Sequence, residues 1–287
     1  MSFYLSAVLL GLGFAALAMG IFITMRIFNI PDITTDGTFT LGGALTAVLI
    51  TGDYSPWLIL LPVFFAGAIA GICTGIIHTK LKVNALLAGI LVMTALYSVN
   101  LGIMNRSNIP LIETASVFDL FTPVLGEMNS QILMLLLFSV ILWLLISRLL
   151  RTDFGLAMRA TGNNEQMIRS MGMDPQVMKV IGIALANGLI AISGFLIVQI
   201  QGFADINMGI GIVILGLGSV MIGEIFMNLF KVRSITIHLL GVIGGSILFR
   251  LILAFSLTLG IDAIYLKLIV ALFVLIVISI PNLKRTK

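Results

Sequence analysis

The stretch VIGIALANGLIAISGFLIVQ, from Val180 to Gln199, contains twenty residues and no charged side chain. At a rise of about 1.5 Å per residue, a helix of this length crosses the hydrocarbon core of a bilayer. A transmembrane β-strand would instead show about ten residues of alternating polarity. The stretch therefore predicts a membrane-spanning helix.

Similar apolar runs recur on both sides of this stretch. Hydrophobic residues make up 60% of the chain, charged residues 10%, and the mean hydropathy is +1.19, which a water-soluble domain could not tolerate on its surface. We therefore predict an all-α polytopic membrane protein in which residues 1–287 form a single transmembrane domain. It has about nine hydrophobic segments, the second of them short or broken: Tyr4–Met25, Phe39–Ile50, Trp57–Ile77, Ala85–Ile103, Ile132–Leu150, Val180–Gln199, Gly209–Phe226, Ile235–Phe255 and Tyr265–Ile280.

The placement of lysine and arginine predicts the orientation of these segments. If they alternate in direction, one side of the membrane receives Arg26, Lys80, Lys82, Arg148, Arg151, Arg159, Arg169, Lys179, Lys231, Arg233, Lys284, Arg285 and Lys287, and the other only Arg106, Arg250 and Lys267. Because cytoplasmic loops are rich in basic residues, the N-terminus is predicted outside and the C-terminus inside. The acidic residues Glu113, Asp119 and Glu127 then lie in the longest external loop. The net charge of +4 is thus a topology signal and not a nucleic-acid footprint.

A polar insert, RTDFGLAMRATGNNEQMIRSMGMDPQ, runs from Arg151 to Gln176, within a predicted cytoplasmic loop of residues 151–178. Asn164 is a good N-cap for a short helix, and Gly172 can adopt the left-handed conformation that ends one. Glu165 and Gln166 suit the first turn, and Glu165 and Arg169 have the favourable i,i+4 order. Asp174 and Pro175 are suited to cap and begin the sixth span.

This insert helix would have about seven residues, too few to be stable alone in water. Its apolar residues Met167, Ile168 and Met171 are therefore predicted anchors for a partner protein, because methionine adapts to contact surfaces. The predicted contact segment consists of Asn164, Glu165, Gln166, Met167, Ile168, Arg169, Ser170 and Met171. A surface turn folded onto the membrane is the alternative.

Two segments interrupt the apolar runs in a similar way. NIPDITTDGTFTLGGAL (Asn29–Leu45) and QGFADINMGIGIVILGLG (Gln201–Gly218) each place an Asp-Ile pair ahead of a glycine-studded apolar stretch. The topology puts the first at the cytoplasmic end and the second at the external end, which would fit an inverted repeat with broken helices. A loop followed by an ordinary helix is the alternative for each.

Several kinds of chemistry have no motif in the chain. There is no G-x-x-x-x-G-K-[ST] loop, so any ATP must be bound by a partner, and no G-x-S-x-G or H-E-x-x-H motif or carboxylate pair indicates an enzyme. Cys73, read as a small buried residue, and the distant His78 and His238 do not form a metal-ligand pattern. All carboxylates are predicted near span ends or in loops, which makes an ion-coupled transporter the second choice.

Polar residues inside the spans are candidates for a translocation path. In the fourth span they are Thr94, Tyr97, Ser98 and Asn100, and in the sixth span they are Asn187, Ser193 and Gln199. A path between these two helices is one interpretation, and hydrogen bonds between helices are the other. The charged candidates are Glu224, Arg250 and Lys267, which could gate or contact solute, or serve structural roles by snorkelling or by an Asp262–Lys267 pair.

The stretches LAMRATGNNEQMIRSMGMD, NGLIAISGFLIVQIQGFADINMGIGIVILGLGSVMIGE and LKLIVALFVLIVISIPNLKR resemble the permease family of ABC importers related to branched-chain amino-acid permeases. The likeness is greatest to a branch linked to tryptophan or tyrosine uptake. DITTDGTFTLGGALTAVL and VNALLAGILVMTALYSVNLGIM extend it over nearly the whole chain.

This resemblance implies a multi-pass permease of a bacterial plasma membrane with no cofactor of its own. It implies a cytoplasmic dimer of ABC ATPases that binds the ATP, a second permease subunit, most simply in a homodimer, and an external substrate-binding protein. It also identifies Asn164 to Met171 as the coupling helix, and favours an amino acid, including an aromatic one, as the small polar solute that is imported. A self-contained secondary transporter or channel is the alternative function.

Overall fold

The regular structure of the chain is almost entirely helical. A computed structural model describes residues 2–112, 114–232, 234–260 and 262–285. The helices are α1 (Ser2–Gly13), α2 (Ala15–Ile21), α3 (Thr34–Thr51), α4 (Pro56–Thr79), α5 (Ala85–Met104), α6 (Thr122–Leu125), α7 (Glu127–Leu149), α8 (Asp153–Asn163), α9 (Glu165–Ser170), α10 (Pro175–Gln201), α11 (Ile212–Leu229), α12 (Ile235–Thr258) and α13 (Leu266–Arg285). A π-helix, Phe22–Ile27, continues α2, and 3-10 helices cover Val117–Leu120 and Ala263–Tyr265. The predicted all-α polytopic membrane fold is confirmed.

Six helices in the described ranges are long and apolar enough to cross a membrane, namely α4, α5, α7, α10, α11 and α12. The predicted first span, Tyr4–Met25, is bent by 40° at Phe14, between α1 and the unit formed by α2 and the π-helix. The two halves differ in their main neighbour, since α1 packs chiefly on α12 and α2 chiefly on α10. The predicted short second segment is the 18-residue helix α3, which begins five residues earlier than predicted, in a threonine-rich turn.

Helix α10 is the central element of the bundle. Of its most apolar window 83% is buried, against 28–44% for the other five long spans. Glycines allow α4 to approach it closely: a Cβ atom at Gly67 would lie 2.6 Å from the carbonyl oxygen of Asn187, and one at Gly71 would lie 2.5 Å from that of Ile183. These glycines of the predicted stripe therefore serve packing within one chain.

Each end of the bundle carries a distinct structure. One end, here called the insert face, contains α8 and α9 beside the ends of α4, α10 and α12. The other, the ribbon face, carries two short antiparallel strands, β1 (Asn108–Pro110) and β2 (Phe203–Asp205), with Ile109 opposite Ala204.

Basic residues that the topology assigned to the cytoplasm lie at the insert face, among them Arg26, Arg159 and Lys179. Arg233 and Lys287 of that set, and Glu113 of the predicted external loop, lie outside the described residues. The orientation of the two faces stays a prediction.

Candidate functional site

The polar insert folds as two short helices in sequence. Thr152 caps α8, and Asn164, between α8 and α9, accepts hydrogen bonds from the backbone N–H groups of Gln166 and Met167 at 3.0 and 3.2 Å. Gly172 follows α9 with a φ of +80°, which favours glycine. A capped helix thus occupies the predicted place, although α8 before it was not predicted.

The side chains of α9 divide into a buried and an exposed set. Ile168 is only 1% exposed, so the prediction that it anchors a partner is wrong: it fixes α9 against its own chain. Met167 and Met171 are 54% and 61% exposed. Gln166, Arg169 and Ser170 are exposed as well. The insert face therefore presents two methionines on a helix whose opposite side is already packed.

An ion pair joins α9 to the central helix. Glu165 pairs with Lys179, in the second turn of α10, rather than with Arg169 as predicted. As predicted, α10 begins at Pro175, and Asp174 accepts a hydrogen bond from the backbone N–H of Gln176 at 2.8 Å. The short connection between α9 and α10 is thus fixed by the Glu165–Lys179 ion pair and by the Asp174 cap.

A cavity of about 440 Å³ lies where this insert meets the rest of the insert face. Its walls include Asn29 and Pro31 from the turn after the π-helix, Asn84 at the start of α5, and Asn164 with Lys179. Asn29 has a φ of +56°. The cavity therefore lies between the start of α9 and the turn that precedes α3.

Asp32, in that turn, is buried inside the bundle. It accepts hydrogen bonds from the backbone N–H of Thr34 at 2.9 Å and from the side-chain amide of Asn187 at 2.7 Å. Asn187 in turn accepts a hydrogen bond from the Thr38 hydroxyl at 2.8 Å. Asp32 lies in a loop, as predicted for the carboxylates, but its partner Asn187 lies near the middle of α10, so this loop enters the bundle. The signal in the sequence was a polar DITTD segment together with an asparagine in the middle of an apolar span.

Asp36 joins the two interrupting segments to each other. Its carboxylate accepts hydrogen bonds from the backbone N–H groups of Gly211 and Val213, both at 2.9 Å, at the start of α11. The carboxylate thus caps a helix 175 residues away in the sequence. The two segments begin at opposite faces, with Asn29 at the insert face and Phe203 at the ribbon face, and this contact shows that they meet inside the bundle. The inverted repeat stays a prediction.

The candidate path residues separate into two groups. Helices α3 and α4 pack on both α5 and α10, and the predicted path between α5 and α10 is not formed because α3 and α4 lie between them. Thr94, Tyr97 and Ser98 lie exposed on the outer side of α5.

The other candidates bond within the chain. Asn187 belongs to the Asp32 network, and Gln199 accepts a hydrogen bond from the backbone N–H of Val117 at 3.0 Å. Ser193 donates to the carbonyl of Gly13, and Asn100 donates to that of Gly37.

The three charged candidates have different surroundings. Glu224 pairs with Arg26 at 2.7 Å, and the guanidinium of Arg250 lies 4.1 Å from the ring centre of Phe14, in a cation–π contact at the bend of the first span. Lys267 is the second residue of α13, and among the described residues it forms no ion pair with Asp262, so that alternative for its role is not observed.

Within the described ranges, no three His, Cys, Asp or Glu residues are grouped so that they could hold a metal ion. Cys73, interpreted as a buried residue, is exposed on α4.

Comparison with known proteins assigns the family. Residues 3–279 match the family described as "Branched-chain amino acid transport system / permease component". The chain belongs to this family, so it is a multi-pass bacterial membrane permease of the ABC importer type.

Named relatives differ in the solute that their names give. The chain is 38% identical to the "Tyrosine transport system permease protein" of Clostridioides difficile (strain R20291), over 99% of this chain and 92% of that one. It is 33% identical to an uncharacterized protein of Rickettsia prowazekii (strain Madrid E), over 94% and 93%. It is 26% identical to the "Galactofuranose transporter permease protein" of Escherichia coli (strain K12), over 78% and 67%. No solved structure matches the chain.

Proposed function

We propose that this chain is the membrane subunit of an importer that passes an amino acid inward, with an aromatic amino acid as the first candidate. The relative named for tyrosine, at 38% identity, supports this solute more than the relative named for galactofuranose, at 26%. ATP is bound by a separate dimer of ABC ATPases, and the solute is delivered by an external binding protein. The insert face is the cytoplasmic side, because the basic residues lie there.

The observation that carries the proposal is that one side of α9 is packed on its own chain while the other side is exposed and apolar. Its inner side is fixed by Ile168 and by the Glu165–Lys179 pair, and its outer side exposes Met167 and Met171. A helix of this length has little stability of its own, so one that is held by its chain on one side and apolar on the other fits a groove of a partner. We define the docking surface as Asn164, Gln166, Met167, Arg169, Ser170 and Met171.

The same contacts provide a route from the docking surface to the membrane interior. Glu165 is tied to Lys179 of α10, and Asn187 of the same helix is bonded to Asp32, two residues before α3. Asp36 then ties α3 to the start of α11. A displacement of α9 by the ATPase would therefore reach three membrane helices through bonds between specific side chains.

The test is the double substitution Met167→Asp with Met171→Asp in proteoliposomes that contain the permease, its ATPase and the binding protein. Two carboxylates in an apolar groove should uncouple transport from ATP hydrolysis. The substitution of both methionines by Leu should preserve transport, as should Leu81→Asp, an exposed apolar position in the connection between α4 and α5. Normal transport by the Asp double variant at normal expression would contradict the docking assignment.

The outer sides of α5 and α7 indicate where a second permease subunit would lie. On α7 the large exposed side chains between residues 133 and 145 are all aliphatic: Leu133, Leu136, Leu137, Val140, Ile141, Leu144 and Leu145. On α5 the exposed side includes Thr94, Tyr97 and Ser98, and α5 is the least covered of the six long spans, at 28%. Polar side chains are unfavourable against lipid, so we propose that a second copy covers this side of α5, and that the solute passes between the copies.

Cysteine cross-linking tests this arrangement. In a Cys73→Ala background, Ser98→Cys on α5 should form a disulfide between two copies, whereas Ile141→Cys on α7 should not. Cross-linking through α7 in place of α5 would show that α7 faces the second subunit and that α5 faces lipid.

A self-contained secondary transporter is the second candidate, because a carboxylate buried in a membrane bundle, such as that of Asp32, is a group that can carry a proton or bind a cation. Its carboxylate is already hydrogen-bonded to Thr34 and Asn187, which favours a structural role. Uptake is to be measured with ATP enclosed or omitted, and with an ion gradient imposed or collapsed. Uptake by this chain alone, driven by a gradient without ATP, would support the secondary transporter.

A further inference from the structure

A second cavity lies on the insert face, at the level where the membrane helices end. It has a volume of about 510 Å³ and is lined by the end of the first span, the C-terminal half of α8 and the first turns of α12. Its walls combine the basic side chains Arg26, Arg159 and His238 with the apolar side chains Phe22, Ile27 and Ile235. None of the residues of the docking surface lines it.

The positive charge of this cavity is only partly balanced. Nε of Arg26 lies 2.7 Å from a carboxylate oxygen of Glu224. Arg159 has no ion pair or hydrogen bond to any described residue, and its Nε is buried. The two nearest acidic residues along the chain are Asp153 and Glu165, each six positions from Arg159; neither forms an ion pair with it, and Glu165 is paired with Lys179. One guanidinium in the wall is thus left without a counter-charge.

The ring of His238 is also fixed in this wall, since its Nε2 lies 3.0 Å from the carbonyl oxygen of Val232. A partly buried guanidinium without a partner is unfavourable, and it gains most from an anion that accepts several hydrogen bonds at once. Phosphate oxygens have this geometry, because the planar guanidinium can bind two of them in parallel.

We propose that this cavity binds a phosphate group through Arg159 and Arg26, and that the group is the headgroup phosphate of an anionic phospholipid. The position of the cavity at the ends of membrane helices is where headgroups lie, and basic pockets between such helices bind them. The apolar side chains Phe22, Ile27 and Ile235 provide a wall for the glycerol and the first acyl carbons. A bound lipid would join the first span to α8 and α12 next to the insert helices.

The experiment uses the full-length permease in nanodiscs of phosphatidylcholine that contain a small fraction of phosphatidylglycerol, followed by native mass spectrometry of the lipids that stay bound. The variants are Arg159→Gln, Arg159→Lys and, as the matched control, Arg151→Gln, which removes an exposed charge on the same face outside the cavity. A parallel arm measures the thermal stability of detergent-solubilised, delipidated protein with and without inorganic phosphate.

The wild type and Arg151→Gln should retain phosphatidylglycerol in preference to phosphatidylcholine. Arg159→Gln should weaken this preference by about tenfold, the effect of losing one charge-assisted contact, and Arg159→Lys should retain part of it. Equal retention by Arg159→Gln and Arg151→Gln, or no preference in the wild type, would overturn the proposal. Stabilisation of the wild type by inorganic phosphate without any lipid preference would overturn the lipid assignment. If Arg159→Gln does not fold, the comparison of Arg159→Lys with Arg151→Gln decides. Loss of the lipid preference in Arg159→Lys alone would support recognition by the guanidinium. Loss of the preference in both variants would count against the charge of Arg159 as the recognised feature.

Discussion

The segments 29–33 and 202–211, which precede α3 and α11, contain the same local turn in different surroundings. In the first, Asp32 accepts a hydrogen bond from the backbone N–H of Thr34 at 2.9 Å, and in the second Asp205 accepts one from that of Asn207 at 2.8 Å. Each aspartate also meets an asparagine amide from a distant element: Asn187 at 2.7 Å for Asp32, and Asn108 at 3.4 Å for Asp205. The Asp-Ile pair thus specifies the same turn twice.

The difference between them is burial. Asp32 and Asn187 are buried in the middle of the bundle, whereas Asp205 lies in the strand β2, half-buried, and its bond to Asn108 is exposed. A donor that loses its partner at the surface can bond to water, and a buried one cannot. The same sequence feature should therefore carry very different free energy at the two positions.

The largest effect is expected for Asp32→Ala. The substitution leaves the backbone N–H of Thr34 and the side-chain amide of Asn187 without an acceptor inside the bundle, which should lower the free energy of unfolding by about 3–5 kcal/mol. Thermal unfolding in detergent measures the change. Asp32→Asn keeps an acceptor and should lose less, so an equal loss in both variants would mean that the charge, and not the hydrogen bonds, holds the turn.

Gly209→Ala should have the next largest effect, since it concerns the place where the two segments meet. A Cβ atom at Gly209 would clash with the carbonyl oxygen of Asp36 and the hydroxyl of Thr40. Because backbone must shift to relieve this overlap, a loss of about 2–3 kcal/mol is expected in the same unfolding measurement. Gly244→Ala, where nothing lies within 4 Å, is the control and should be neutral or slightly stabilising. Equal stability of the two variants would break the assignment of this contact.

Asp36→Ala should have an intermediate effect, as it removes the cap of α11 but leaves the backbone packing in place. The loss of two hydrogen bonds to Gly211 and Val213 should lower stability by about 1–2 kcal/mol. Hydrogen exchange should show faster opening of the first turn of α11, with α4 unchanged. An exchange pattern like that of the wild type would indicate that α11 is held by packing alone.

The smallest effect is expected for Asp205→Ala. Its turn is exposed to water, and the loss should be about 0.5–1 kcal/mol, comparable to the loss of a helix cap at the surface. Asp174→Ala, which removes the cap of α10, provides a matched surface value in the same assay. If Asp205→Ala lowered the free energy of unfolding as much as Asp32→Ala, burial would not determine how much each turn contributes to stability.

Local rules predicted much of the candidate docking site. Three of its features depend on residues only a few positions apart, so they could be predicted from the sequence. Asn164 caps α9, Gly172 adopts the left-handed conformation, and α10 begins at Pro175 after the Asp174 cap. Ile168 was misassigned because an apolar residue on a short helix can face its own chain or a partner. Only the position of α8 and α10 around it decides between these.

The apolar runs by themselves determined the fold class, because a bilayer requires about twenty apolar residues per helical span and leaves few other solutions. The sequence also determined the local turns at Asp32 and Asp205. The tertiary structure alone decided that the first span bends at Phe14, that Asp32 and Asn187 meet across 155 residues, and that Asp36 caps α11. These features depend on which helices become neighbours, and this is set by close packing over the whole bundle and not by any one stretch of sequence.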